Sequence, residues 1–225
     1  MEIHIKTAIS YLMRSSGGSV IPNHEKRYLF FVVPKVACSS WKNVIANDLR
    51  LSIGCTVHKT KFPQVFRVGR KYDGYFKFGF VRNPFDRLWS CFNHKIHRNE
   101  DHNSNNYKNG VANELAKYYC FKGGMSFPDF VEAVCGIPDY FSDQHFRSQH
   151  TFLYKGKKPL TSFVGRFEQI QEDAEKVLKI IDYRGSFPHV MGSRNLDYSD
   201  FYSEKMRKLV EQRYFSDLRL FNYKF

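Results

Sequence analysis

YLFFVVPKVACSSWKNVI, residues 28–45, and FKFGFVRNPFDRLWSCF, residues 76–92, are two versions of one pattern. In each, a β-branched and aromatic run leads through a short loop into the start of a helix. Residues 28–33 are apolar without interruption, as in a strand covered on both faces, and Pro34 ends the run. Lys35, small residues and the hydroxyls of Ser39 and Ser40 follow, ahead of a helix expected over residues 41–51 with Val44, Ile45 and Leu49 at core spacing. Backbone N–H groups at such a start have no partner within the helix and the dipole is positive there, so an anion is favoured. In the second segment residues 76–81 form the strand, Arg82 stands at its end and Pro84 opens the helix. Ser90 lies eight positions after Arg82, about two turns into that helix. Two such anion sites predict a ligand with two separated anionic groups.

Outward from these segments, strands and helices alternate. TSFVG, residues 161–165, reads as a short strand. It precedes a helix in which Phe167, Ile170, Ala174, Val177, Leu178 and Ile181 keep the 3.6-residue period. Ser126 caps a helix that buries Phe127, Phe130, Val131 and Val134, residues 111–119 predict another, and a last helical stretch covers 203–221. The expected fold is α/β, a mainly parallel central sheet flanked by helices, with ligands beyond the carboxyl ends of the strands. Residues 1–225 are expected to form a single domain, with 1–26 a lead-in of limited order. RNEDHNSNNYKNG, residues 98–110, is expected to be a mobile loop, and 52–75, which holds His58, a strand or loop over the site.

Composition narrows the function. Hydrophobic residues make up 42 %, with 22 Phe and 14 Tyr, so the chain is globular. A formal charge of +13 points to anionic ligands, yet the basic residues are dispersed and no helix-turn-helix, zinc-finger or RNA-recognition signature accompanies them, so nucleic acid is not the expected partner. Cys38, Cys55, Cys91, Cys120 and Cys135 are odd in number and contain no C-x-x-C pair, which argues against zinc and against a fully paired disulfide framework. Cys38 and Cys91 read as packing residues. No apolar run has the length of a membrane span, and the N-terminus lacks a signal-peptide pattern. The G-x-x-x-x-G-K-[ST] loop of nucleotide triphosphatases is also missing.

The two segments resemble the cofactor-binding motifs of the sulfotransferases, in particular the carbohydrate sulfotransferase branch of family 2 type, whose first motif reads Pro-Lys-x-x-x-Ser/Thr before a helix. The resemblance continues through the stretch from Phe163 to Asp173 that contains VGRFEQIQED, and through the ending YFSDLRLFNYKF. It implies a P-loop-nucleotide-binding-like sulfotransferase fold. The donor would be 3′-phosphoadenosine 5′-phosphosulfate (PAPS), the product 3′-phosphoadenosine 5′-phosphate, and no metal would be needed. Lys35, Val36, Ala37, Cys38, Ser39, Ser40 and Trp41 would surround the 5′-phosphosulfate, and Arg82 and Ser90 the 3′-phosphate. GSRN, residues 192–195, resembles the late loop that closes over the nucleotide, which makes Arg194 a candidate third phosphate contact. The acceptor would be a hydroxyl of a glycan or glycolipid.

Within this reading Lys35 stabilises charge on the leaving phosphate. Ser39 and Ser40 bind phosphate oxygens or cap the helix, and Trp41 stacks on adenine or fills the core. Arg87 belongs to the anion site or pairs with a surface acid. His58, between the motifs where several family members place a catalytic histidine, is the first choice of general base. His94, His97 and His145 are alternatives, and Glu168 is read as structural. Lys95, Arg98, Arg147, Lys155, Lys157 and Lys158 are either glycan-binding residues or a solvated face. Competing functions are a small-molecule kinase on a related fold and a non-enzymatic polyanion-binding module. The expected location is the cytoplasm of a bacterial-type source, the alternative a Golgi-luminal catalytic domain without its anchor.

Overall fold

A computed structural model of the protein describes residues 18–188 and 197–225. In chain order its first elements are β1 (Val20–Asn23), β2 (Tyr28–Phe31), α1 (Cys38–Asp48), β3 (Phe76–Val81), α2 (Pro84–Lys95), and the small hairpin β4 (Tyr107–Lys108) and β5 (Val111–Ala112). There follow α3 (Phe127–Cys135), α4 (His150–Leu153), a second hairpin of β6 (Tyr154–Lys155) and β7 (Lys158–Pro159), β8 (Phe163–Arg166), α5 (Ile170–Ile180), α6 (Glu204–Arg213) and α7 (Phe215–Leu220). The described residues fall into two compact units, one of residues 18–82 and 149–188, the other of 83–148 and 197–225. Among them no helix is long and apolar enough to cross a membrane.

The first unit holds the sheet, in the order β1-β2-β3-β8. β2, β3 and β8 run parallel, and β1 pairs antiparallel with β2 at the edge. Alternate side chains of a strand face opposite ways, and here the alternation sorts the core. Phe30, Phe78 and Phe80 meet the fully buried Trp41 of α1, with ring centroids 5.9, 5.1 and 4.9 Å away. On the opposite face Gly79 leaves room for Leu153 of α4, whose Cδ2 would stand 2.6 Å from a Cβ added there. The sheet is thus covered on both sides, which is why β2 reads as an unbroken apolar run. Asp48, near the end of α1, accepts bonds from the Tyr28 hydroxyl (2.8 Å), Asn23 Nδ2 (2.9 Å) and Lys26 Nζ (2.6 Å), pinning the helix to the β1–β2 turn.

The second unit is helical. Phe85, Leu88 and Cys91 of α2, Phe130, Val131 and Val134 of α3, and Met206 and Val210 of α6 share one core with Phe146 and Tyr214. Ser126 caps α3, its hydroxyl accepting from the Asp129 N–H. Arg87 is buried in this unit and donates to the carbonyls of Arg147 (2.7 Å) and Gln144 (2.9 Å).

Several expectations need correction. Residues 20–23, assigned to the lead-in, form a buried strand; the remainder of that segment up to residue 17 lies outside the described residues. The helix expected over 111–119 does not form. Val111 and Ala112 pair with the preceding strand, and Leu115 and Tyr118 reach the core from turns. The final helical stretch is two helices that meet at Tyr214. The segment expected to be a mobile loop, 98–110, contains β4 and internal hydrogen bonds, among them Gly110 N–H to His102 O (2.7 Å), and the His102 ring stacks on that of His97 at 3.8 Å.

Candidate active site

The chain leaves β2 through Val32, Val33 and Pro34 and turns sharply before α1. Lys35 and Ala37 both take left-handed backbone conformations, with φ of 72° and 58°. For a residue with a Cβ this costs about 1–2 kcal/mol, a cost that concentrates at functional loops. The turn brings the N-terminus of α1 to the carboxyl end of the sheet. No side chain caps this helix and no acidic residue occupies its first turn, so its first N–H groups and its dipole suit an anion. Lys35 and Ser40 are half-buried beside it and Ser39 is exposed. His58, in a short 3-10 turn at Val57–Lys59, places Nε2 2.8 Å from Ser39 Oγ. The candidate general base and a candidate phosphate ligand therefore touch.

Arg82 stands at the end of β3 with its guanidinium carbon 4.1 Å from the centroid of the Phe167 ring and Nη1 3.4 Å from the carbonyl of Lys35. Its backbone is gripped by the buried side chain of Gln149, which accepts from the Arg82 N–H at 2.9 Å and donates to its carbonyl at 2.8 Å. Arg82 is thus only 7 % exposed, fixed at its main chain and stacked on an aromatic ring, so its guanidinium is held in one orientation, and a planar fork of this kind suits an oxyanion. Lys35, Ser39, Ser40, His58 and Arg82 thus gather around one loop, with Gln149 and Phe167 as supports.

The sequence profile of the sulfotransferase family matches residues 19–224. The chain belongs to the sulfotransferase family. It is 28 % identical to mouse carbohydrate sulfotransferase 14 over 71 % of its own length and 46 % of that protein's. It is also 28 % identical to mouse carbohydrate sulfotransferase 8, over 92 % of this chain and 55 % of that one, and 26 % identical to carbohydrate sulfotransferase 10 of Xenopus laevis, over 91 % and 67 %. The chain spans about half the length of the first two of these relatives. No solved structure matches it.

Several side chains of this sulfotransferase family member lie elsewhere than the sequence reading placed them. Trp41 is fully buried among Phe30, Phe78, Phe80 and Phe187, so it is core and offers no face to adenine. Arg87 does not reach the surface, and its guanidinium donates to the carbonyls of Arg147 and Gln144; burial pulls its pKa below the usual guanidinium value while Tyr214 and Asp217 oppose that shift. Lys95 is buried and paired with Glu114, and Arg147 is buried with Nε bonded to the Ser142 carbonyl at 3.1 Å, which removes both from a glycan surface. His145 is held by Asp143, Nδ1 to Oδ1 at 2.6 Å, in a charge network that includes Lys117. Cys91 is buried as expected of a packing residue, whereas Cys38 is half-buried at the start of α1. Ser90 is half-buried on α2. Arg194 and the GSRN loop lie outside the described residues. Gln149 and Phe167 were missed as site residues, since their role depends on contacts to Arg82 across long sequence separations. Among the described residues no group of His, Cys, Asp or Glu is arranged to hold a metal ion.

Proposed function

We propose that this protein transfers the sulfuryl group of PAPS to a hydroxyl of a carbohydrate or glycoconjugate. The observation that carries the reading is the loop from Pro34 to Ser40. It combines a strained turn, a lysine, two hydroxyls and an uncapped helix start free of acidic residues, which together fit the phosphosulfate end of the donor. Arg82 and Ser90 are the proposed 3′-phosphate residues on the strength of their motif, and Arg194 a further phosphate contact. The family match runs through both compact units, which supports reading residues 1–225 as one sulfotransferase domain.

Bound PAPS would supply a sulfur activated by a phosphate leaving group. The chain's own residues would do three things. Lys35 holds an ammonium against the oxygen on which negative charge grows, and a preorganised donor of this kind is worth about 3–4 kcal/mol. The α1 N-terminus, Ser39 and Ser40 hold the phosphate oxygens and keep the leaving group in line. His58 takes the proton of the acceptor hydroxyl as its oxygen bonds to sulfur and the bond from sulfur to the phosphate oxygen breaks; its contact with Ser39 supports that assignment.

The names of the relatives support a glycan acceptor, and their vertebrate sources favour the Golgi-luminal alternative over the cytoplasmic one. A transfer screen with radiolabelled PAPS over candidate glycans and glycolipids tests the proposal. Label should pass to at least one carbohydrate with wild-type protein and to none with Lys35→Ala. Transfer to no carbohydrate, or equal transfer by the variant, would refute it.

A further inference from the structure

At the opposite end of the sheet from the donor loop lies a cavity of about 440 Å³, lined by Val68, Gly69, Asp73, Lys77, Lys155 and residues 158–162. All of these belong to the first compact unit. Its floor is the start of β3. Lys77 is clasped there by Ser162, whose hydroxyl accepts from the Lys77 N–H and whose own N–H donates to the Lys77 carbonyl at 2.7 Å. The Lys77 ammonium is drawn to the carbonyls of Asp73 and Tyr75, each 3.4 Å away, so it is anchored at the pocket wall while half-buried. The rim is the β6–β7 hairpin, KGKK, whose turn uses Gly156 at φ 59°.

Lys155 and Lys158 are direct cross-strand partners in this hairpin. Like charges in that position repel and destabilise a two-stranded ribbon. Among the described residues neither of them nor Lys77 has an ion pair, and Asp73 is the one acidic residue in the lining. Three lysines around one cavity, two of them cross-strand neighbours, make a site whose positive charge an anion would balance.

We propose that this cavity binds a segment of sulfated or carboxylated glycan, apart from the donor site. Five residues of β3 at about 3.3 Å each separate Lys77 from Arg82, roughly 17 Å. A single sugar cannot span that distance, whereas a polymeric chain can. The site would hold an already anionic stretch of the polymer whose hydroxyls the enzyme modifies, an assignment that rests on the glycan reading above.

The test is a direct binding titration of a fluorescent sulfated oligosaccharide, with wild-type protein, Lys155→Gln/Lys158→Gln, and Lys205→Gln/Lys208→Gln as a control that removes two charges from exposed positions on α6. The first variant should bind at least five-fold more weakly and with a shallower salt dependence, the control within two-fold of wild type. Binding of 3′-phosphoadenosine 5′-phosphate, measured in parallel, should be the same in all three. No oligosaccharide binding by wild type, equal weakening by both variants, or tighter binding of a DNA oligonucleotide of matched charge would overturn the inference. Loss of nucleotide binding by wild type would count against the donor reading instead.

Discussion

Lys35 joins two properties that are usually independent, a strained backbone and a charged head. Its φ of 72° favours glycine, as does that of Ala37. Lys35→Gly should therefore raise stability by about 1 kcal/mol in a denaturant melt while abolishing sulfuryl transfer. Lys35→Ala should be equally inactive without that gain. A Lys35→Gly protein that keeps activity would remove the lysine from the mechanism. For His58, replacement by alanine should lower kcat about 10²–10⁴-fold and erase the acid limb of the pH–rate profile, the signature of a lost histidine base. A lowered rate with the limb intact would leave His58 a ligand of Ser39 only.

The strand–turn–helix of residues 28–45 was legible because it is local: strand, proline, lysine, hydroxyls and helix follow one another within eighteen residues. β1 was not, because VIPN contains a proline and an asparagine and resembles a turn. Both are tolerated here, since this is an edge strand. The helix expected over 111–119 failed for a related reason. Its apolar spacing is real, and Leu115 and Tyr118 are buried, but Val111 and Ala112 pair with β4 and the residues after them form turns. Trp41 was ambiguous in sequence and is settled by the aromatic layer around it, which only the register of β2 against β3 creates. That layer leaves its mark on the other face at Gly79. Gly79→Ala would set a methyl 2.6 Å from Leu153 Cδ2 and 3.3 Å from the Phe31 carbonyl, and should cost about 1–3 kcal/mol. Thermal melts that match wild type would show that α4 is packed less closely than described.

Across the whole chain the charge of +13 coexists with acids, Asp143 buried and Asp139 half-buried, that help hold the helical unit together. Burial by itself would raise the carboxyls of Asp139 and Asp143, but Arg213 and Ser148 bind the first, and His145 and Lys117 the second, so both end below the usual carboxylate range. Because their pKa values are lower folded than unfolded, the unfolded chain takes up more protons as pH falls. Their stabilisation is complete above about pH 5, one unit above the unfolded value, and is lost as pH falls through the unfolded and then the folded values. Urea midpoints should accordingly be level from neutrality to about pH 5 and drop steeply below 4, with a shallower drop in Asp139→Asn; an unchanged slope in that variant would contradict the assignment. The donor half of the reaction is the part on which everything else rests, and it is tested most directly by calorimetric titration with 3′-phosphoadenosine 5′-phosphate in the presence of a metal chelator. Wild-type protein should bind the nucleotide without any metal, and Arg82→Ala at least ten-fold more weakly. No binding at millimolar nucleotide, or equal affinity in Arg82→Ala, would contradict the account.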